Sequence, residues 1–312
     1  MESQKPKIAM YVKRPFGEKL NASFDFIKEN WKQLFKYSTY LILPICLIQA
    51  ANFSGLMGSM TDITAMQASG GISDNPLAAL GPSFALNYAG VIFFSCLGAL
   101  LMTSLIYAMV RLYNEREERL NGIVFGDIKS LLLRNIKRLF LMGIACSFLF
   151  IFAVIFIVLL AVLTPFTLIL TIPLLFAFMV SLALMAPIYL FEDISLGEAF
   201  AKTFRLGFAT WGGVFLILIV MGIIASVLQG IVSILWYVIY IVKMIFTMSD
   251  GGATSSSVGL NFAQYLFSIL MLYGSYLSAI FGIVGLVYQY GHASEVVDSI
   301  TVESDIDNFD KL

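Results

Sequence analysis

The sequence predicts an all-α polytopic membrane protein: six transmembrane helices in three hairpins, each hairpin preceded by an interfacial amphipathic helix. Three observations predict it. First, 59% of the 312 residues are hydrophobic and only 12% are charged, against roughly 25% charged in soluble domains. Second, the apolar residues fall in runs long enough to cross a hydrocarbon core, which takes about 20 residues. Third, eighteen of the 19 lysines and arginines sort to one side of a six-span topology.

The spans are expected at about 38–56, 83–110, 139–163, 166–191, 212–241 and 262–290. They lie in a six-helix membrane domain, 21–292, between a basic arm, 1–20, and an acidic tail, 293–312. With six spans, the arm, the 111–138 and 192–211 loops and the tail share one side, and Lys243 alone among the cations falls opposite. Positively charged loops stay in the cytoplasm, so both termini are expected there, in a cytoplasmic (inner) membrane. No short apolar stretch precedes the basic arm, so the first span is expected to act as an uncleaved insertion signal.

The opposite segments, 57–82 and 248–261, are rich in Gly, Ser, Thr and Asn and read as flexible loops. Thr164–Pro165 makes a tight hairpin between the third and fourth spans. The fifth apolar run, from Gly212 to Thr247, exceeds what a span of about 30 Å requires. Trp211 marks one interface, and Trp236, Tyr237 and Tyr240 the other. A bend near Gln229–Gly230 is therefore expected, or a surface-lying segment after Trp236.

The amphipathic helices are read from three- and four-residue spacing. The first places Phe24, Ile27, Trp31, Leu34 and Phe35 on one stripe, the second Ile128, Leu131, Leu132, Ile136 and Leu139, the third Leu196, Phe200, Phe204 and Phe208. Ser195 and Glu198 form a capping box at the start of the third. Their basic residues face headgroups in an interfacial helix. The candidate headgroup contacts are Lys13, Arg14, Lys28, Lys32, Arg134, Lys137, Arg138, Lys202 and Arg205.

The stretch 186–213 reads APIYLFEDISLGEAFAKTFRLGFATWGG. With Pro187, Glu192, Glu198, Ala199, Thr203, Leu206 and Trp211 in place, it resembles the membrane domain attached to some bacterial glycerophosphodiester phosphodiesterases. It is similar also to uncharacterised bacterial multi-helix inner-membrane proteins. In layout the resemblance covers roughly 20–290, in motif only this stretch. It implies a stand-alone membrane domain. The family's catalytic His and carboxylates lie in a soluble domain for which this chain has no room, so enzyme activity does not carry over.

Chemistry is weakly signalled. His292 with Glu295 offers too few ligands for a catalytic zinc. Glu192–Asp193 could serve acid–base work but sits where acids meet a helix N-terminus. Glu115, Glu117 and Glu118 with Arg116 and Arg119 read as a salt-bridged helix end. Cys46, Cys96 and Cys146 sit inside apolar runs and read as small hydrophobes. No phosphate loop, nucleophile elbow or nucleic-acid motif appears, and no cofactor is expected. Gln229 is the candidate polar site within the membrane; Gln49, Asn52 and Asn87 lie toward span ends. Ser95, Ala99 and Thr103, and Gly274, Ser278 and Gly282, form small-residue stripes for helix contact. The tail, with Val302, Ile306 and Phe309 among its acids, could form a short docking helix.

The reading is a non-catalytic membrane module for lipid interaction, assembly or partner recruitment, with a cytoplasmic working surface. Its expected partners are membrane lipids, anionic ones included, and a second copy or another protein. The alternatives are a transporter of a small or lipid-like solute and, third, a membrane enzyme of lipid metabolism. Convergence of Glu192, Asp193, His292 and Glu295 in one cleft would favour the enzyme, and a polar cavity at Gln229 the transporter.

Overall fold

A computed structural model describes residues 6–68, 81–249 and 258–301. Among them every regular element is helical: α1 (Phe16–Ala68), α2 (Pro82–Glu115), α3 (Phe125–Leu163), a 3₁₀ turn (Pro165–Thr167), α4 (Leu168–Leu182), α5 (Met185–Phe191), α6 (Leu196–Ala209), α7 (Trp211–Ser249) and α8 (Val258–Val297). Six segments are long and apolar enough to cross a membrane: α1, α2, α3, Pro165–Phe191, α7 and α8. The chain is an all-α polytopic membrane protein.

The helices overrun the expected spans. α1 has 53 residues, about 80 Å at 1.5 Å per residue. Its amphipathic segment and its span are one helix, because neither Gly nor Pro occurs between Gly17 and Pro44 to end it. It then continues to Ala68, so helix replaces the first half of the loop expected at 57–82. The second amphipathic segment likewise runs into its span within α3. Only the third is a separate helix, α6. α7 passes unbroken through Gln229–Gly230 to Ser249. Residues 69–80, 250–257 and the tail beyond 301, with its expected docking helix, lie outside the described residues.

The fourth span, by contrast, is divided at Ala183–Leu184. Pro187 cannot donate to the carbonyl four residues back, and its ring crowds that carbonyl. The helix therefore breaks one turn upstream of it. Pro173, inside α4, causes no such break.

The chain forms two compact units: Met1–Leu34, Thr103–Ile223 and Ile280–Leu312; and Phe35–Met102 with Ile224–Ala279. In the first, Phe26 is fully buried and meets Tyr113 and Tyr288 edge-on at 5.1 and 6.4 Å between centroids. The buried stripe of α1 here is Lys19, Ala22, Ser23, Phe26, Asn30 and Leu34. This corrects the expected stripe: Phe24, Trp31 and Phe35 point outward, Trp31 being 55% exposed. The α3 stripe holds better, with Ile128, Leu132 and Leu139 buried beside Asn135, which donates to the Ser104 carbonyl at 3.1 Å. On α6 the packed residues are Ala199, Thr203, Leu206 and Gly207. Phe200, Phe204 and Phe208 form an aromatic ladder with Phe178 of α4.

In the second unit, polar side chains join helices inside apolar surroundings. Tyr276 donates to Gln49 at 2.9 Å, and Gln49 donates to Ser95 at 2.8 Å. Trp236 donates to Ser268 at 2.8 Å. Gly55 lies against Asn87, Gly90 against Asn52 and Gly274 against Val232, each so closely that a Cβ would collide. These are the small-residue contacts expected where helices pack in lipid. Gly282, in the same stripe as Gly274, has nothing near it.

Candidate functional site

Two ion-pair networks of the first unit lie around the α5–α6 connection. Asp193 ends α5 in the left-handed region, φ 56°, a conformation that costs a non-glycine residue about 1–2 kcal/mol. That geometry presents its carboxylate to three arginines. It pairs with Arg134 directly, with Arg111 at 3.4 Å and with Arg138 at 3.8 Å. Arg138 also donates to the carbonyls of Tyr189 and Ile194 at 2.6 and 2.8 Å, and lies 4.0 Å from the Tyr189 ring centroid. α2, α3 and the turn after α5 are thereby fastened at one point.

The neighbouring Glu192 faces another partner set. It pairs with Lys202 at 2.8 Å and accepts from the Tyr290 hydroxyl at 2.7 Å. Lys202 bridges onward to Asp298 at 2.8 Å, and Asp298 to Arg205 at 2.7 Å. The side chains of Glu192, Lys202 and Asp298 are no more than 19% exposed. Burial acts to lower the Lys202 pKa, but the hydrogen bonds and charges of Asp298 and Glu192 outweigh it and raise the value. Tyr11 extends the chain, its hydroxyl 3.4 Å from that of Tyr290.

The N-terminal arm is a strap over the ends of α2 and α8. Lys7 donates to the Arg116 carbonyl, and the Ile8 amide donates to the Tyr113 hydroxyl at 3.2 Å. The Arg14 amide donates to His292 Nδ1 at 3.0 Å. Met10 is buried, and its carbonyl lies where a Cβ on Gly291 would stand, 2.1 Å away. His292 follows the apolar run of α8, which ends at Tyr290. Its Nδ1 accepts the Arg14 amide and therefore carries no proton.

The expected acid–base constellation does not assemble. Glu192 and Asp193 turn to different partners, His292 is occupied by the Arg14 amide, and Glu295 accepts from Thr301. The candidate headgroup residues divide. Arg134, Arg138, Lys202 and Arg205 take part in the internal networks. Arg14 donates to the Ala9 carbonyl at 2.7 Å. Lys13, Lys28, Lys32 and Lys137 are exposed. Gln229 donates to Ser233 and to the Met271 carbonyl, at 3.0 and 3.2 Å, and so ties α7 to α8. A cavity of about 950 Å³ lies between α3, α4 and α6, lined mostly by apolar residues such as Phe150, Leu174, Phe178 and Phe204, with Ser147 and Thr171 among them.

Sequence reasoning missed Tyr11, Tyr290 and Gln289, because each sits in an apolar or arm segment with no motif around it. It counted Lys19 only as an arm cation, yet that residue is 3% exposed. Comparison with family models, with curated proteins and with solved structures returns no match.

Proposed function

We propose that the chain is a non-catalytic membrane module that binds anionic lipid at its cytoplasmic surface and presents that surface to a partner. The observation that carries this reading is the outer face of α1. Phe24, Trp31 and Phe35 are exposed there, alternating with exposed Lys28, Lys32 and Lys36. Aromatic rings and lysines together are the signature of a helix lying against headgroups. Lys137 on α3 adds a further exposed cation. The internal networks support the same view. They consume the carboxylates of Glu192, Asp193 and Asp298 in holding helices together, and leave none of the three as a poised base.

The basic side is the cytoplasmic side in this reading, and the membrane is the inner membrane of a bacterium. The resemblance to the membrane domain of glycerophosphodiester phosphodiesterases fits a membrane-embedded module. A transporter would need a polar path, and Gln229 instead bonds within the α7–α8 pair.

The test is extraction in native nanodiscs, with mass spectrometry of the retained lipids and proteins. Anionic lipid should be enriched over the bulk membrane, and joint replacement of Lys28, Lys32 and Lys137 by Gln should remove the enrichment. Retained lipid of bulk composition in the unmodified protein would refute the reading.

A further inference from the structure

One group of cations in the first unit pairs with no carboxylate among the described residues. Lys19 is buried to 3% exposure, and its ammonium makes a single hydrogen bond, to Gln289 Oε1 at 2.7 Å. Gln289 is fully buried and in turn donates to Thr210 at 3.3 Å. Gly213, in the first turn of α7, leaves the space: a Cβ there would meet the Gln289 amide at 2.9 Å and Lys19 Nζ at 3.1 Å. Arg14 reaches the same end of α8, its amide donating to His292 Nδ1 at 3.0 Å three residues beyond Gln289, and Lys13 precedes it on the arm. Arg14 Nη1 is buried and has no hydrogen-bond partner. Among the described residues, Lys13, Arg14 and Lys19 take part in no ion pair.

This contrasts with Arg116, Arg119, Arg134 and Lys202, which are matched by Asp127, Glu29, Asp193, and Glu192 with Asp298. A buried ammonium with one amide partner leaves donors unused and a charge uncompensated, which a protein interior tolerates poorly. The first turn of α7 adds the positive end of a 39-residue helix.

We infer that Lys13, Arg14, Lys19 and Gln289 form a binding site for a phosphate group, either a lipid phosphate or a free phosphate. A tetrahedral oxyanion has enough acceptor oxygens to meet ammonium groups, a guanidinium and the second N–H of the Gln289 amide together. The place suits a lipid as well, because Trp211 and Tyr290 close the apolar runs of α7 and α8 beside it. The inference rests on the lipid-binding reading only for the lipid source. Its residues are distinct from the exposed Lys28, Lys32 and Lys137.

The experiment uses the full chain in two preparations. One is in detergent titrated with inorganic phosphate. The other is in phosphatidylcholine nanodiscs with and without phosphatidic acid. Thermal stability and native mass spectrometry are the readouts. Saturable stabilisation by inorganic phosphate assigns a free-phosphate site; retention of phosphatidic acid with no response to phosphate assigns a headgroup site. In either case Lys19→Met and, separately, Arg14→Gln should weaken binding by at least about tenfold, the loss of one charge-assisted hydrogen bond. Lys19→Met should also melt higher than the unmodified protein when no phosphate is present. Lys28→Gln/Lys32→Gln/Lys137→Gln should leave this binding unchanged, which separates its fate from that of the surface reading. Arg14 lies on the arm, outside every span, so its variant tests the site even if Lys19→Met fails to fold. The proposal is overturned if neither probe binds, or if binding survives in the folded variants.

Discussion

At the residue scale, the networks make sharp predictions because single groups sit between several partners. Asp193 holds a left-handed backbone and a carboxylate shared by three arginines. Asp193→Gly and Asp193→Ala both lose the charge, but only alanine keeps the backbone penalty. The glycine variant should therefore be the more stable of the two by about 1 kcal/mol, measured by denaturant unfolding in detergent. Equal stability would mean that φ 56° carries no cost there. Lys202 gives a pH dependence. Its pKa is raised, so it contributes stability that is fully present below about 10.5 and is lost as pH climbs through the folded value. Alkaline titration should therefore release Glu192 from α6 while Arg205 keeps α6 paired with Asp298, and Lys202→Met should remove this response in denaturant unfolding.

At the element scale, the strap and the amphipathic segments carry the argument. Gly291→Ala would place a Cβ 2.1 Å from the Met10 carbonyl. We expect the arm to lift from α8, with a destabilisation of about 1–3 kcal/mol. Limited trypsin digestion at Lys7 and Lys13 would report it, and an unchanged cleavage pattern would show that the strap can shift without cost. The capping box at Ser195 was legible from sequence, and Ser195 and Glu198 do exchange hydrogen bonds at 2.8–3.3 Å. The face of α1 was not. Apolar spacing finds an apolar stripe, but in a bilayer such a stripe can meet lipid as readily as protein. The packed face of α1 instead carries Lys19, Ser23, Asn30 and Ser38; Lys19 bonds across to Gln289, while Ser23 and Asn30 bond back onto α1 itself and their small size permits close helix contact. The break at Ala183–Leu184 was implicit in Pro187, whereas the continuity of α1 depends on the absence of any breaker.

At the scale of the whole molecule, composition and charge distribution made the six spans legible, and the helices follow them with long extensions. The networks were not legible. Glu192 and Lys202 come from one stretch of chain and Tyr290 and Asp298 from another far along it, and no local pattern announces that they meet. The claim on which the functional reading stands is orientation: the basic arm, the 111–138 segment and the α5–α6 region on the cytoplasmic side. It is tested by single cysteines in a background where Cys46, Cys96 and Cys146 are replaced by alanine. Glu117→Cys and Asp74→Cys, in intact cells, are exposed to a membrane-impermeant maleimide. The account predicts that position 74 is labelled at once and position 117 only after the membrane is opened. Labelling of position 117 in intact cells would contradict it.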